Sequence, residues 1–353
     1  MRALAALPLA AATCLVAASS AAARPAESCT SDYKASARAA AAAYARQMPK
    51  ARAAYDRAHR SAQARKAFAK RQAATLAALK RDADCTVTRV ADTGPLPAPA
   101  PDANEHVVFS DEMSQSAREE AQGYVTFAIR DEETLLGVPL DESKGIDVFV
   151  STDHAWLAQH ECDYQGLAGT CVATTEAHYA SSLVDHVGDA LFVDWSSNDW
   201  SGVNTPLYEK QKIMGNAVFS LFRDQLVGDD GDVGPVWLLA GGAELVGYHV
   251  SSDRNLRPYA DDLADMRQNI RALTTPLQQI QTWSDYGLVG HWFLAGAADR
   301  LVADAPDGIR SLADYYAAIG RGASWQDAFA SAFGMSVDAF YADFAAYRQT
   351  LAG

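Results

Sequence analysis

Cysteine is scarce in this chain and never closely paired. None of its five cysteines forms a C-x-x-C motif, which argues against a cysteine zinc site. No G-x-S-x-G turn presents a serine nucleophile. Gly241-Gly242 lacks the following Lys-Ser/Thr of a phosphate loop. No two of the eight histidines lie four residues apart on a helix, so H-E-x-x-H is missing; His154 and His160, or His178 and His186, could meet only through tertiary folding. Asp229-Asp230-Gly231-Asp232 lacks the later glutamate of an EF-hand loop and reads as a solvated acidic turn. Beyond the N-terminus no run of about 18 apolar residues occurs, so no spanning helix is expected there.

What is present begins with an export signal over 1–23. Arg2 supplies the positive start, Ala3–Ala12 and Leu15–Ala18 the apolar run, and Ala21–Ala23 the small residues of a cleavage site. Lipidation of Cys14 is disfavoured by Thr13 before it. The expected location is secreted or periplasmic. The mature chain then keeps Cys29, Cys85, Cys162 and Cys171, an even set that predicts disulfides with three possible connectivities. Spacing favours Cys29–Cys85 and Cys162–Cys171.

The net charge of −14 hides a division. Between residues 28 and 85 stand thirteen Lys and Arg against four Asp, so the acid excess lies elsewhere. Segment 30–84 has no Gly and only Pro49 as a breaker, and is rich in Ala, Arg and Lys. That composition predicts a basic antiparallel helical hairpin, roughly 31–57 and 62–83, clamped at its open end by Cys29–Cys85. A Pro-rich linker over 92–105, containing GPLPAPAPD, forbids helix and separates this module from residues 106–353.

In the larger part, His106–Ser110, Ile146–Val150 and Ala190–Trp195 read as short strands. Ser114–Leu136 shows helical periodicity through Ala117, Ala121, Val125, Ala128 and Ile129. A Gly-containing loop between Cys162 and Cys171 reads as a hairpin tip or lid. From Pro206 onward nearly everything is helical, with caps at Ser324 and Ser336. The expected class is α+β, with a small N-terminal sheet and a helical C-terminal half.

Val236–Val250, VWLLAGGAELVGYHV, follows the Trp-Leu-x-Glu-Gly-x-Ala-Glu outline through Trp237, Leu238, Gly241, Ala243 and Glu244. Lys212–Leu226 precedes it as a helix. Pro235-Val236-Trp237-Leu238, Thr275-Pro276-Leu277, Tyr286–Leu294 and a tail Gly322-Ala323-Ser324-Trp325, Ala328-Phe329, Phe333-Gly334-Met335-Ser336 complete an ordered series. In that series the region from His106 to Tyr347 resembles the secreted bacterial peptidase-MA-like branch of the gluzincin metallopeptidases. The resemblance implies a zinc held by two histidines and a glutamate, with a glutamate as general base. At those positions stand Asn216 and Ser220 for the histidines, Ala217 for the base and Ala240 for the third ligand. A methyl group cannot ligate zinc, so the expectation is a degenerate site with no metal and no cofactor.

The expected function is therefore a non-catalytic binding or scaffold module. Its former cleft would be lined by Trp195, Trp200, Trp237, Glu244, Tyr286, His249 and His291. A secreted hydrolase with a relocated or unusual metal site is the alternative. Expected partners are a peptide or protein, or an anionic envelope polymer met by the basic hairpin. Nucleic acid is disfavoured by export and by a pI of about 4.9. Oligomeric state is left open.

Overall fold

The computed structural model describes residues 105–352, apart from 141–145, 168–169, 180–182, 198–199, 201–204 and 229–232, together with isolated positions before residue 102. The signal segment, the Cys29–Cys85 pairing and, but for isolated positions, the basic hairpin lie outside the described residues.

The sheet follows from alternation. In β2 (Ile146–Ser151) Ile146, Val148 and Val150 point to one face, while Asp147 and Phe149 point to the other. β1 (Glu105–Phe109) and β4 (Ala190–Asp194) flank it in parallel. β3 (Val184–Val187) closes the order β1-β2-β4-β3 as an antiparallel edge. Val107, Val148 and Leu191 share one face, and Val108, Phe149 and Phe192 the other.

The first face joins the main core beneath α1 (Gln115–Leu136). Ser114 caps that helix through its hydroxyl, which accepts from the Ala117 N–H, and Gly137 ends it in the left-handed region at φ 70°. The second face carries a smaller core from α2 (His154–Tyr164) and α3 (Thr170–Tyr179), built on Leu157, Ala158, Tyr179, Ala190 and Phe192. Cys162 and Cys171 are disulfide-bonded with Cα atoms 5.9 Å apart. The segment between them joins two helices that the bond staples together.

The helical half begins with α4 (Leu207–Val227) and α5 (Val236–Asp253), each entered through an extended proline, Pro206 and Pro235. Then come α6 (Tyr259–Ala272), the short α7 (Trp283–Tyr286), α8 (His291–Ala303), α9 (Ser311–Gly320), α10 (Trp325–Phe333) and α11 (Val337–Ala352). Ser324 caps α10, and the Ser336 hydroxyl accepts from the Ala339 N–H at the start of α11. The architecture is α+β, as composition and pattern imply. Among the described residues no helix is long and apolar enough to cross a membrane.

α4 and α5 run antiparallel at backbone contact. A Cβ on Gly247 would lie 2.4 Å from the Lys212 carbonyl oxygen, and one on Gly215 would lie 3.0 Å from the Gly247 Cα. Part of the Pro-rich linker is drawn onto this half as well. The Leu96 N–H donates to the Arg254 carbonyl at 3.0 Å, and Arg254 stacks over Tyr124 and Phe127.

One buried group opposes the rest. Glu132 of α1 is fully buried, and neither carboxylate oxygen has a hydrogen-bond partner among the described residues. Burial, then the neighbouring Asp131, raises its pKa well above the ordinary carboxylate range. Asp131 itself is pushed up to about 8, by burial and then Asp253.

Two outcomes follow. Gly247→Ala should cost about 1–3 kcal/mol, while Gly287→Ala, with open space around it, should stay within about 0.5 kcal/mol in the same urea titrations. The raised carboxyls bind protons more tightly in the folded chain than in the unfolded one. Their contribution is therefore complete below the ordinary carboxylate range and is lost as pH rises towards about 8. Glu132→Gln should flatten that decline and leave the protein about 1–3 kcal/mol more stable at pH 8. Equal slopes for both proteins would refute the assignment.

Candidate functional site

The positions assigned to a lost zinc site lie on the two packed helices α4 and α5. Lys212, Asn216 and Ser220 follow one another at four-residue steps along α4, and Ala240 precedes Glu244 by one turn on α5. Asn216 and Ser220 are half-buried, whereas Ala217 and Ala240 are buried. What spans the two helices is Lys212. Its ammonium lies 2.6 Å from Glu209 Oε1 and 3.5 Å from Glu244 Oε2, and its side chain is only 5% exposed.

Burial works against the charge on Lys212, but Glu244 and Glu209 outweigh it and lift the pKa above the ordinary lysine value. The ammonium also stands 5.4 Å from the centre of the Tyr248 ring, which stacks on Trp292 at 4.5 Å. Trp292 in turn lies under Arg257, which pairs with Asp262 at 2.9 Å and Asp265 at 2.5 Å. Charge and ring alternate through this part of the helical half.

Tyr286 and His291 belong to the same neighbourhood. Burial, then Glu244, pushes the Tyr286 phenol up to about 12. Burial, only partly opposed by Glu244, holds His291 below the ordinary histidine value and so neutral at pH 7. Beside Tyr286 the indole of Trp283 is 63% exposed, with ring centres 5.9 Å apart. Three of the seven residues assigned to a cleft thus gather around Lys212: Glu244, Tyr286 and His291.

The other four do not join them. Trp195 and Trp200 stack on each other at 5.0 Å in the core beyond β4. Trp237 is fully buried, stacked on Phe340 at 5.4 Å, and its Nε1 donates to the Tyr341 hydroxyl. His249 stacks on Tyr259 at 4.1 Å. These rings fill the interior or one another's faces. Sequence reasoning passed over Lys212 and Glu209, although a lysine one turn before Asn216, with a glutamate three residues earlier, was a usable signal.

Zinc does not fit the residues present. No ligand stands at Asn216, Ala217, Ser220 or Ala240, and the two nearby carboxylates already hold an ammonium. Among the described residues no group of three or more His, Cys, Asp or Glu could hold a metal ion. The histidines find other partners: His106 pairs with Asp147 at 2.8 Å, His178 with Asp185 at 3.3 Å and His186 with Asp224 at 3.5 Å.

At the end of β4, His154, Asp194 and Ser196 do converge. The same Nε2 faces Asp194 Oδ2 at 2.9 Å and Ser196 Oγ at 3.1 Å, while the Ser196 hydroxyl donates directly to Asp194 Oδ1 at 2.6 Å. A proton relay needs the imidazole between serine and carboxylate, one nitrogen for each. This trio is a hydrogen-bonded corner and does not have that geometry. No family profile matches the chain, and no curated protein or solved structure is similar to it.

The Lys212 contacts make a double-mutant test. Lys212→Met leaves Glu244 buried without its cation and should cost about 3–5 kcal/mol in chemical denaturation. Adding Glu244→Met should recover most of that loss. Additive losses would show that the pair does not act as a unit.

Proposed function

We propose that this chain is an exported, non-catalytic homologue of the peptidase-MA-like gluzincins, acting as a binding or scaffold module. The observation that carries this reading is the Lys212 ammonium closed between Glu209 and Glu244. It lies on the helix pair built by Lys212–Leu226 and the W-L-x-x-G-x-A-E run. A gluzincin hydrolyses peptides by placing a metal and a general base against a water molecule with one coordination position open. On this pair the general-base position is Ala217, and the polar space between the helices is taken by a side-chain cation.

The helices that frame the site support a role that depends on shape. Their packing is close and rich in aromatic rings, as a rigid presenting surface requires. The partners this reading admits are a peptide or protein, or an anionic polymer of the cell envelope met by the basic N-terminal segment.

Elemental analysis of the purified mature protein after dialysis, together with a casein-hydrolysis assay in added zinc, tests the proposal. The expected result is substoichiometric zinc and no hydrolysis. Stoichiometric zinc with activity would overturn it in favour of a working secreted hydrolase.

A further inference from the structure

One long stretch of the chain carries acidic residues with no basic ones among them. From residue 145 to 209 there are ten Asp and Glu and no Lys or Arg. This stretch builds β2, α2, α3, β3 and β4, the layer on the second face of the sheet.

Among the described residues that face is incompletely covered. α2 and α3 bury Ala190 and Phe192, but Val108 and Phe149 stay half-buried and His106 is exposed. Aromatic rings border the opening. The Trp156 and His160 rings lie tilted against each other with centres 3.8 Å apart, and Phe149 lies 5.4 Å from His160. Tyr164 is 41% exposed; burial, then the negative charges of Asp189 and Asp147, raises its phenol pKa. Half-open rings among carboxylates, with no lysine or arginine of the same layer competing for them, form a surface that selects Lys and Arg side chains. The rings attract cations over their faces and the carboxylates pair with them.

We propose that this face, centred on Asp147, Phe149, Trp156, Tyr164 and Asp189, docks the chain's own basic segment, residues 28–85. Charge complementarity selects the occupant: thirteen Lys and Arg against four Asp, in the same chain as a layer that has none. The tether is short. Leu96 is fixed on Arg254, and the ten residues from 86 to 95 span up to about 35 Å when extended. A short tether holds the segment at an effective concentration of about millimolar, so individually weak surface pairs act together. This inference does not rest on the pseudopeptidase reading, since its residues lie on the sheet layer and zinc analysis leaves it untouched.

Carbodiimide coupling of the mature full-length protein, read by peptide mass spectrometry, tests it. Cross-links are expected within the monomer between lysines of residues 28–85 and Asp147 or Asp189. They should fall by at least about tenfold in 0.5 M salt and in the variant Asp147→Asn/Tyr164→Ala/Asp189→Asn. Circular dichroism and the melting midpoint of the variant should stay unchanged, because the three side chains are at least partly exposed. Coupling to other acidic residues only, coupling confined to a dimer, or no coupling at all would overturn the proposal.

Discussion

The helical half of this molecule depends on one backbone contact, Gly215 of α4 against Gly247 of α5. Ordinary side chains there would push the helices apart, since a Cβ on Gly247 would meet the Lys212 carbonyl oxygen at 2.4 Å. Closing that gap sets everything around it. α5 can then be buried on every side, with Gly241 admitting the backbone of α8 at Leu294 in the same manner. It also encloses Lys212 and Glu244 beside the contact, where water no longer screens them.

An enclosed ion pair is a poor way to gain stability. Desolvating both charges costs about as much as their attraction returns, and a well-packed apolar pair would serve as well or better. The pair is tolerable here because Glu209 supplies a closer second carboxylate and Tyr248 offers a ring face to the ammonium. Removing either long side chain alone would strand the other. Lys212 and Glu244 thus fix how the two helices meet more than how strongly. The consequence for chemistry is direct, since a carboxylate facing an internal ammonium at 3.5 Å is a weak candidate for activating water.

The parts of the fold legible in the sequence are those fixed by neighbours along the chain. Ser114 and Ser324 cap helices because a hydroxyl and the amide three residues on are always within reach. IDVFV is a strand because alternation suits a sheet with cores on both faces. The unread parts depend on distant partners. α2 and α3 show little amphipathic pattern, because they turn only a few residues, such as Leu157 and Ala158, onto the sheet. β3 exists because β4 pairs with it. The large rings of Trp195, Trp200 and Trp237 suggest a cleft only until their partners are known. Once Phe340, Tyr341 and Tyr124 are in place, those rings are interior. Lys212 was hidden for the converse reason: a charged residue in a helix reads as solvent-facing until a second helix closes over it.

The two halves therefore differ in what they leave available. The helical half spends its polar groups inward, on Lys212 with two glutamates and on Arg257 with Asp262, and its largest rings on one another. The sheet layer is built the other way. Its core is small, its second face is only partly roofed, and its carboxylates outnumber any internal cation because the stretch contains no Lys or Arg. Unbalanced charge on an open aromatic surface produces a field that reaches about 8–10 Å into physiological salt, whereas a closed ion pair produces almost none. On that ground charge acts outward from the sheet layer, whereas the helix pair keeps its charges closed within the core.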